Sequence, residues 1–249
     1  GTGTDEVRYD YDNTTGVTVD LSAGTATENG GVVDTLTSIE NVLGSQYDDT
    51  FVTATGVTNT IDGGANTSET NGDTVDYSSR NSAINVTLNT STLATVNISG
   101  DTNDQIRNIE NITGGSANDT ITGDSANNTL LGNGGADTLS GAAGADYLDG
   151  GTGDDTIIGG AGADNMFGSA GNDVFEGTEF TGDTIDGGNE ADSSKGSDTV
   201  DYSALGSGIE VTLNDTTAAS VKVGANTNDH TIVNIENIIG TTSADTITG

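Results

Sequence analysis

Residues 114–176 are seven nine-residue units laid end to end without insertion or deletion: GGSANDTIT, GDSANNTLL, GNGGADTLS, GAAGADYLD, GGTGDDTII, GGAGADNMF and GSAGNDVFE. The first position is always glycine: Gly114, Gly123, Gly132, Gly141, Gly150, Gly159 and Gly168. The sixth holds Asp119, Asn128, Asp137, Asp146, Asp155, Asp164 and Asp173, and the eighth holds Ile121, Leu130, Leu139, Leu148, Ile157, Met166 and Phe175. So short a period leaves few folds. One apolar residue between two outward neighbours makes a three-residue strand with its centre inward, and six residues remain to reverse the chain. Glycines at positions one and four are expected to supply positive φ and to turn carbonyls toward a common centre. The chain is therefore expected to be all-β, a solenoid of short parallel strands.

Two units complete one coil, so alternate units stack. Asp119, Asp137, Asp155 and Asp173 should form one column, and Asn128, Asp146 and Asp164 the other. Coils lie about 4.8 Å apart. At that distance neighbouring carboxylates repel by about 3–4 kcal/mol at an effective dielectric near 20. Such a row is stable only with cations between its members. Carboxylate and carbonyl oxygens together suit a hard cation such as calcium, so the carboxylates and the loop glycines (Gly114, Gly132, Gly134, Gly141, Gly150, Gly159, Gly168) are the candidate ligands.

The pattern resembles the RTX family of hemolysin-type calcium-binding repeats, with consensus GGxGxDxUx, U being a large apolar residue. The resemblance implies a right-handed parallel β-roll holding several calcium ions in its glycine-rich turns. Asn128, Ala117 and Ala126 depart from the consensus, which makes the second loop the weakest expected site.

A longer repeat surrounds the roll. Asp73-Thr-Val-Asp-Tyr77 recurs as Asp198-Thr-Val-Asp-Tyr202 and, more loosely, as Asp5-Glu-Val-Arg-Tyr9. Alternating strands follow, then Ile39-Glu-Asn41, Ile109-Glu-Asn111 and Ile235-Glu-Asn237, then turns ending at Asp49, Asp119 and Asp245. In nonapeptide register, Glu40, Glu110 and Glu236 take the carboxylate position. They are expected either to ligate calcium or to hydrogen-bond backbone. The segments between each Tyr and Ile-Glu-Asn should form wider coils or hairpins, with strands near 84–88, 93–98, 209–213 and 218–223. Stretches beginning at Thr60 and Thr184 look like nonapeptides with enlarged loops, whose calcium carboxylates would be Asp73 and Asp198. A degenerate turn ends at Asp183, and Asp5 is a further candidate ligand. Three regions result: two long repeats with a short roll over 1–113, the main roll over 114–186, and a third long repeat over 187–249, all expected to form one solenoid.

Lys plus Arg number 5 against 39 Asp plus Glu, a formal charge of −34, and Asp outnumbers Glu 29 to 10. Tight loop coordination prefers the shorter acid. Leu, Ile, Val and Phe make up just under a fifth of the chain, a disordered-class composition at this charge. Their periodicity implies a chain that is disordered without calcium and ordered with it. So few cations argue against nucleic acid or anionic membrane as partner, and no apolar run is long enough to insert in a bilayer. Zero Cys excludes disulfides and thiolate metal sites. Zero Pro fits an uninterrupted ladder. The chain shows no signal-peptide features and starts and stops within a repeat, as a piece of something larger would.

Catalysis has little support: His230 is the only histidine, falling where Asp34 and Asp104 precede the Ile-Glu-Asn motif, and no nucleophile–base motif is present. Positions three and five form no Thr ladder of the kind that binds ice. The resemblance implies a non-enzymatic, calcium-binding structural segment of a secreted bacterial surface protein, adhesin or surface-layer-like, exported by a type I pathway. Its partners would be calcium and neighbouring or other copies of the repeat. The alternative is a folding and secretion module attached to a secreted hydrolase.

Overall fold

A computed structural model describes residues 3–11, 15–28, 31, 33–65, 72–177, 179–188, 196–213, 218–225 and 230–249. All regular structure among them is strand, gathered into one sheet of 12 strands and one of 14. The fold is a parallel β-roll. Successive nonapeptides alternate between sheets, and pairing runs at an offset of two units. Thr120, Thr138, Thr156 and Val174 lie side by side in one sheet, and Thr129, Tyr147 and Asn165 in the other.

The eighth residues face one another across the gap between sheets. Ile121, Leu139, Ile157 and Phe175 line one wall and Ile112, Leu130, Leu148 and Met166 the other, all at 0% exposure. Complete burial of each is worth about 1.5–3 kcal/mol. This thin apolar seam is the whole core of the roll, and it passes without a break into the long repeats through Phe51, Ile61, Val75, Ile185 and Val200.

Two local expectations need correction. Strands are three residues long at Asn111–Thr113, Thr120–Thr122 and Thr129–Leu131, but six at Thr138–Ala143, Tyr147–Thr152, Thr156–Ala161 and Asn165–Ala170. There the ladder continues into the loops, pairing Ala142 with Gly160 and Gly151 with Ser169. Positive φ also falls at positions two and four, not one and four. Gly135, Gly144, Gly153, Gly162 and Gly171 occupy position four at φ between 119° and 148°, and Asn133, Ala142 and Ser169 occupy position two at 68–74°. Glycine at position one answers a different need, close approach: a Cβ there would collide with the Asp side chain of its own unit and, in most units, with a carbonyl oxygen of the next coil.

The long repeats insert three-stranded antiparallel units, the second into the 12-stranded sheet and the third into the 14-stranded one. The second uses Ile84–Thr87, Ala94–Ile98 and Asp104–Arg107, and the third Ile209–Thr212, Ala219–Val223 and His230–Val233. These agree with the expected hairpin strands. Tyr9, Tyr77 and Tyr202 are buried beneath them. Of the enlarged loops expected from Gly64 to Gly72 and from Gly188 to Gly196, residues 66–71 and 189–195 lie outside the described residues.

Candidate metal centre

Each coil contributes one side chain to each of two columns, immediately before the strand. One column runs Asp5, Glu40, Asn59, Asp104, then, after the inserted strands, Asp119, Asp137, Asp155, Asp173, Asp198 and Glu236. The other runs Asp49, Asp73, Glu110, Asn128, Asp146, Asp164, Asp183 and His230, then, past its own insert, Asp245. The structure thus brings together every carboxylate singled out in the sequence. Asp49, Asp73, Asp119, Asp137, Asp146, Asp155, Asp164, Asp173, Asp183 and Asp198 are all buried.

The columns are hydrogen-bonded ladders. One carboxylate oxygen accepts the backbone N–H of the residue one coil earlier: Asp119 to Asp137 Oδ1 at 2.7 Å, Asp137 to Asp155 at 2.7 Å, Asp155 to Asp173 at 2.9 Å, Asp146 to Asp164 at 2.9 Å. Asp5, Asp73 and Asp198 donate likewise to Glu40, Glu110 and Glu236 at 2.8–3.0 Å. The longer side chain compensates for the local path of the chain, whose residues two before each Glu (Ser38, Asn108, Asn234) sit at positive φ.

The second oxygen divides the loops into two kinds. In Asp49, Asp119 and Asp245 it accepts the position-two N–H of its own loop, from Ser45, Gly115 and Thr241 at 2.6, 2.8 and 2.9 Å. Asn128 is closed in the same way: its Oδ1 accepts Asp124 N–H at 2.9 Å, while its Nδ2 donates to the Glu110 carbonyl at 2.7 Å. The amide fits because the Glu110 N–H is turned to the Asp73 carbonyl, so what faces Asn128 is an acceptor. In Asp137, Asp146, Asp155, Asp164, Asp173 and Asp183 the position is different. Their Oδ2 atoms are buried and take no hydrogen bond.

These are open loops. Position four is Tyr47, Ala117, Ala126 or Ser243 in the closed loops and glycine in every nonapeptide from 132 to 176, while the open loop of Asp183 lies outside that series and has its left-handed glycine, Gly182, directly before the carboxylate. A left-handed position four is strained for any other residue. The left-handed non-glycine residues at position two cost of order 1–3 kcal/mol each, strain that a functional loop can carry. Beside the bare Oδ2 of Asp137, Asp146, Asp155, Asp164 and Asp173 lies the position-one glycine, and in three of these units a carbonyl oxygen of the next coil reaches the same point: Gly150 at Gly132, Gly159 at Gly141 and Gly187 at Gly168. The closed loops of Asp49 and Asp119 share this close approach, at Gly44 and Gly114.

The electrostatics agree. Burial, against partial relief from the backbone N–H, pushes Asp137, Asp173 and Asp183 up to about 7 and Asp146 up to about 6, and neighbouring column carboxylates push the same way. Burial raises Asp155 and Asp164 too, and in the closed loops it raises Asp49 and Asp119 against two N–H donors each. Asp245 is lowered, chiefly by the Ile209 N–H. A buried, unpaired carboxylate oxygen beside carbonyl oxygens fits a hard divalent cation. Among the described residues no three acidic or imidazole side chains cluster together, so most ligands of such an ion would be backbone carbonyls.

A second ladder was missed in the sequence. At position five, Asn118, Asn127 and Asp154 accept the N–H of Ala136, Ala145 and Asn172 one coil later, at 2.8–2.9 Å. Its only signal is Asn or Asp recurring at that position.

Residues 113–148 and 140–175 match the family model described as RTX calcium-binding nonapeptide repeat (4 copies). Among solved structures, the solution structure of the AlgE6R3 subunit of the Azotobacter vinelandii mannuronan C5-epimerase is similar. It is 28% identical over 47% of this chain and 71% of that one, with a TM-score of 0.21. No curated protein matches. Over residues 113–175, then, this chain is built of RTX calcium-binding nonapeptide repeats.

Proposed function

We propose that this chain is a calcium-stabilised structural segment of a secreted bacterial surface protein, of adhesin or surface-layer type, exported unfolded and ordered on meeting calcium outside the cell. The observation that carries this reading is the row of six buried Oδ2 atoms without a hydrogen bond, at Asp137, Asp146, Asp155, Asp164, Asp173 and Asp183. Left bare at neutral pH, these oxygens oppose folding. Paired with a divalent cation, they hold adjacent coils together. The ligands are these carboxylates with the loop carbonyls around Gly132, Gly141, Gly150, Gly159 and Gly168. Asp49, Asp119, Asn128 and Asp245 are assigned to the backbone ladder instead, because position-two N–H groups occupy their second oxygens. Glu40, Glu110 and Glu236, which receive N–H groups from Asp5, Asp73 and Asp198, take the hydrogen-bonding role.

Extracellular calcium modules bind at roughly 10⁻⁴–10⁻³ M, weak enough to stay empty in a cytosol and to fill outside. Each coil contacts only its neighbours, so filling is expected to be cooperative. The test is a calcium titration of the EDTA-treated chain followed by far-UV circular dichroism, with magnesium as control. A steep, calcium-selective gain of β signal is expected. An unchanged spectrum would sink the folding role.

A further inference from the structure

Among the described residues the most buried of the Lys and Arg side chains is Arg80, 5% exposed in a chain of formal charge −34. Its guanidinium donates to Asp101 Oδ2, to Thr53 Oγ1 at 2.9 Å and to the Ala54 carbonyl at 2.8 Å. It lies 4.0 Å from Asp104 Oδ2, which is buried and takes no hydrogen bond. Two carboxylates, a hydroxyl and a carbonyl are the oxygen set that a hard cation takes. Around it the loops are closed: the Arg80 carbonyl accepts the Ser116 N–H of the Asp119 loop at 3.0 Å, and Thr53 directly follows the unit that carries Asp49.

The third long repeat is an internal control. Leu205 stands in Arg80's place, since each donates its N–H to the carbonyl of the Tyr three residues earlier, at 2.9 and 2.8 Å. His230 stands in Asp104's place, each directly preceding the strand residue that pairs with Thr184 or Thr60. There aromatic rings fill the space: His230 Nε2 and the Tyr202 hydroxyl lie 2.6 Å apart, and Phe180 packs edge-on against Tyr202. The cation and its carboxylate are replaced together.

We infer that the Arg80 guanidinium fills a cation site walled by Asp101, Asp104, Thr53 and the Ala54 carbonyl, so that the coils of the second long repeat hold together without calcium and removing Arg80 leaves a site that takes calcium. This deepens the proposed function, on which it rests, by dividing the chain into a calcium-independent part around Arg80 and a calcium-requiring part over 132–186.

The test uses the full chain as wild type, Arg80→Ala and the double variant Arg80→Leu/Asp104→His. Hydrogen exchange is followed at Thr50–Val52, Thr74–Asp76 and Asp104–Arg107 in EDTA, and bound calcium is counted by equilibrium dialysis. Wild type keeps these strands protected in EDTA. Arg80→Ala loses at least about tenfold of that protection, regains it in calcium and binds one calcium more than wild type. The double variant keeps protection in EDTA and binds no extra calcium. The inference is overturned if these strands exchange freely in wild-type EDTA samples, if Arg80→Ala binds no additional ion or stays unprotected in calcium, or if the double variant also gains an ion. Failure of the calcium role itself would appear separately, as no calcium uptake by wild type.

Discussion

Replacing Asp155 by Asn should change stability in opposite directions with and without calcium. Asp155 lies between Asp137 and Asp173 in one column. Its Oδ1 accepts the Asp137 N–H at 2.7 Å, and an amide oxygen keeps that bond. Its Oδ2 takes no hydrogen bond and becomes an NH₂ group. Full charges one coil apart, about 4.8 Å, repel by about 3–4 kcal/mol at an effective dielectric near 20. Burial holds Asp137 and Asp173 at about 7, so near neutral pH each carries about half a charge. Each contact is then worth at most about 1.5–2 kcal/mol, less because burial raises Asp155 as well, and the variant removes two. An imperfectly paired amide gives back about 1 kcal/mol. The metal-free variant should therefore be more stable than the parent by about 1–3 kcal/mol. In calcium the sign reverses, because a charged ligand is gone; a tenfold loss of affinity at one site is about 1.4 kcal/mol. The β signal of the chain in EDTA, compared between variant and parent, reads the first, and urea unfolding in saturating calcium reads the second. A shift in the same direction in both media would refute the reasoning.

Raised carboxyl values in the column mean that, without metal, the folded chain binds more protons than the unfolded one between about pH 4 and 7. Stability of the EDTA-treated chain should rise as pH falls through that window and be lost as pH rises through about 7; a β signal that weakens on mild acidification would contradict this. Gly141→Ala drives a methyl into Asp146 Oδ2 and the Gly159 carbonyl. It should cost about 1–3 kcal/mol in urea unfolding and remove calcium from that loop, and an unchanged midpoint and stoichiometry would count against the close approach. Asn128→Asp sets an acceptor against the Glu110 carbonyl in place of the 2.7 Å amide donor. It should destabilise by about 1–3 kcal/mol without adding a calcium ion, whereas a gain of one ion by dialysis would show the loop to be open.

The columns were legible in the sequence because a nine-residue period offers one inward side chain and one carboxylate per unit. Register alone then placed Glu40 and Glu236 in the column of Asp137 and Glu110 in the column of Asp146. The roles of these Glu residues were not legible, since they depend on which backbone group faces each carboxylate. The difference between open and closed loops was written at position four, in Ala117 and Ala126 against Gly135 and Gly144. Its meaning is conformational: the left-handed φ of Gly135 and Gly144 accompanies a carboxylate oxygen that takes no N–H from its own loop. Position two misled in the other direction, because Ala142 and Ser169 adopt positive φ without being glycine. Arg80 gave no periodic signal at all. Its burial follows from a hairpin that brings Asp101 and Asp104 to Thr53 across long stretches of chain.

The central claim is that cations are held by the open loops and by no closed one. Crystals grown in calcium, with anomalous diffraction data collected to locate the ions, test it most directly. Calcium peaks are expected beside Oδ2 of Asp137, Asp146, Asp155, Asp164, Asp173 and Asp183, with none at Asp49, Asp119, Asn128 or Asp245. Peaks at the closed loops, or no peaks along the open row, would contradict it.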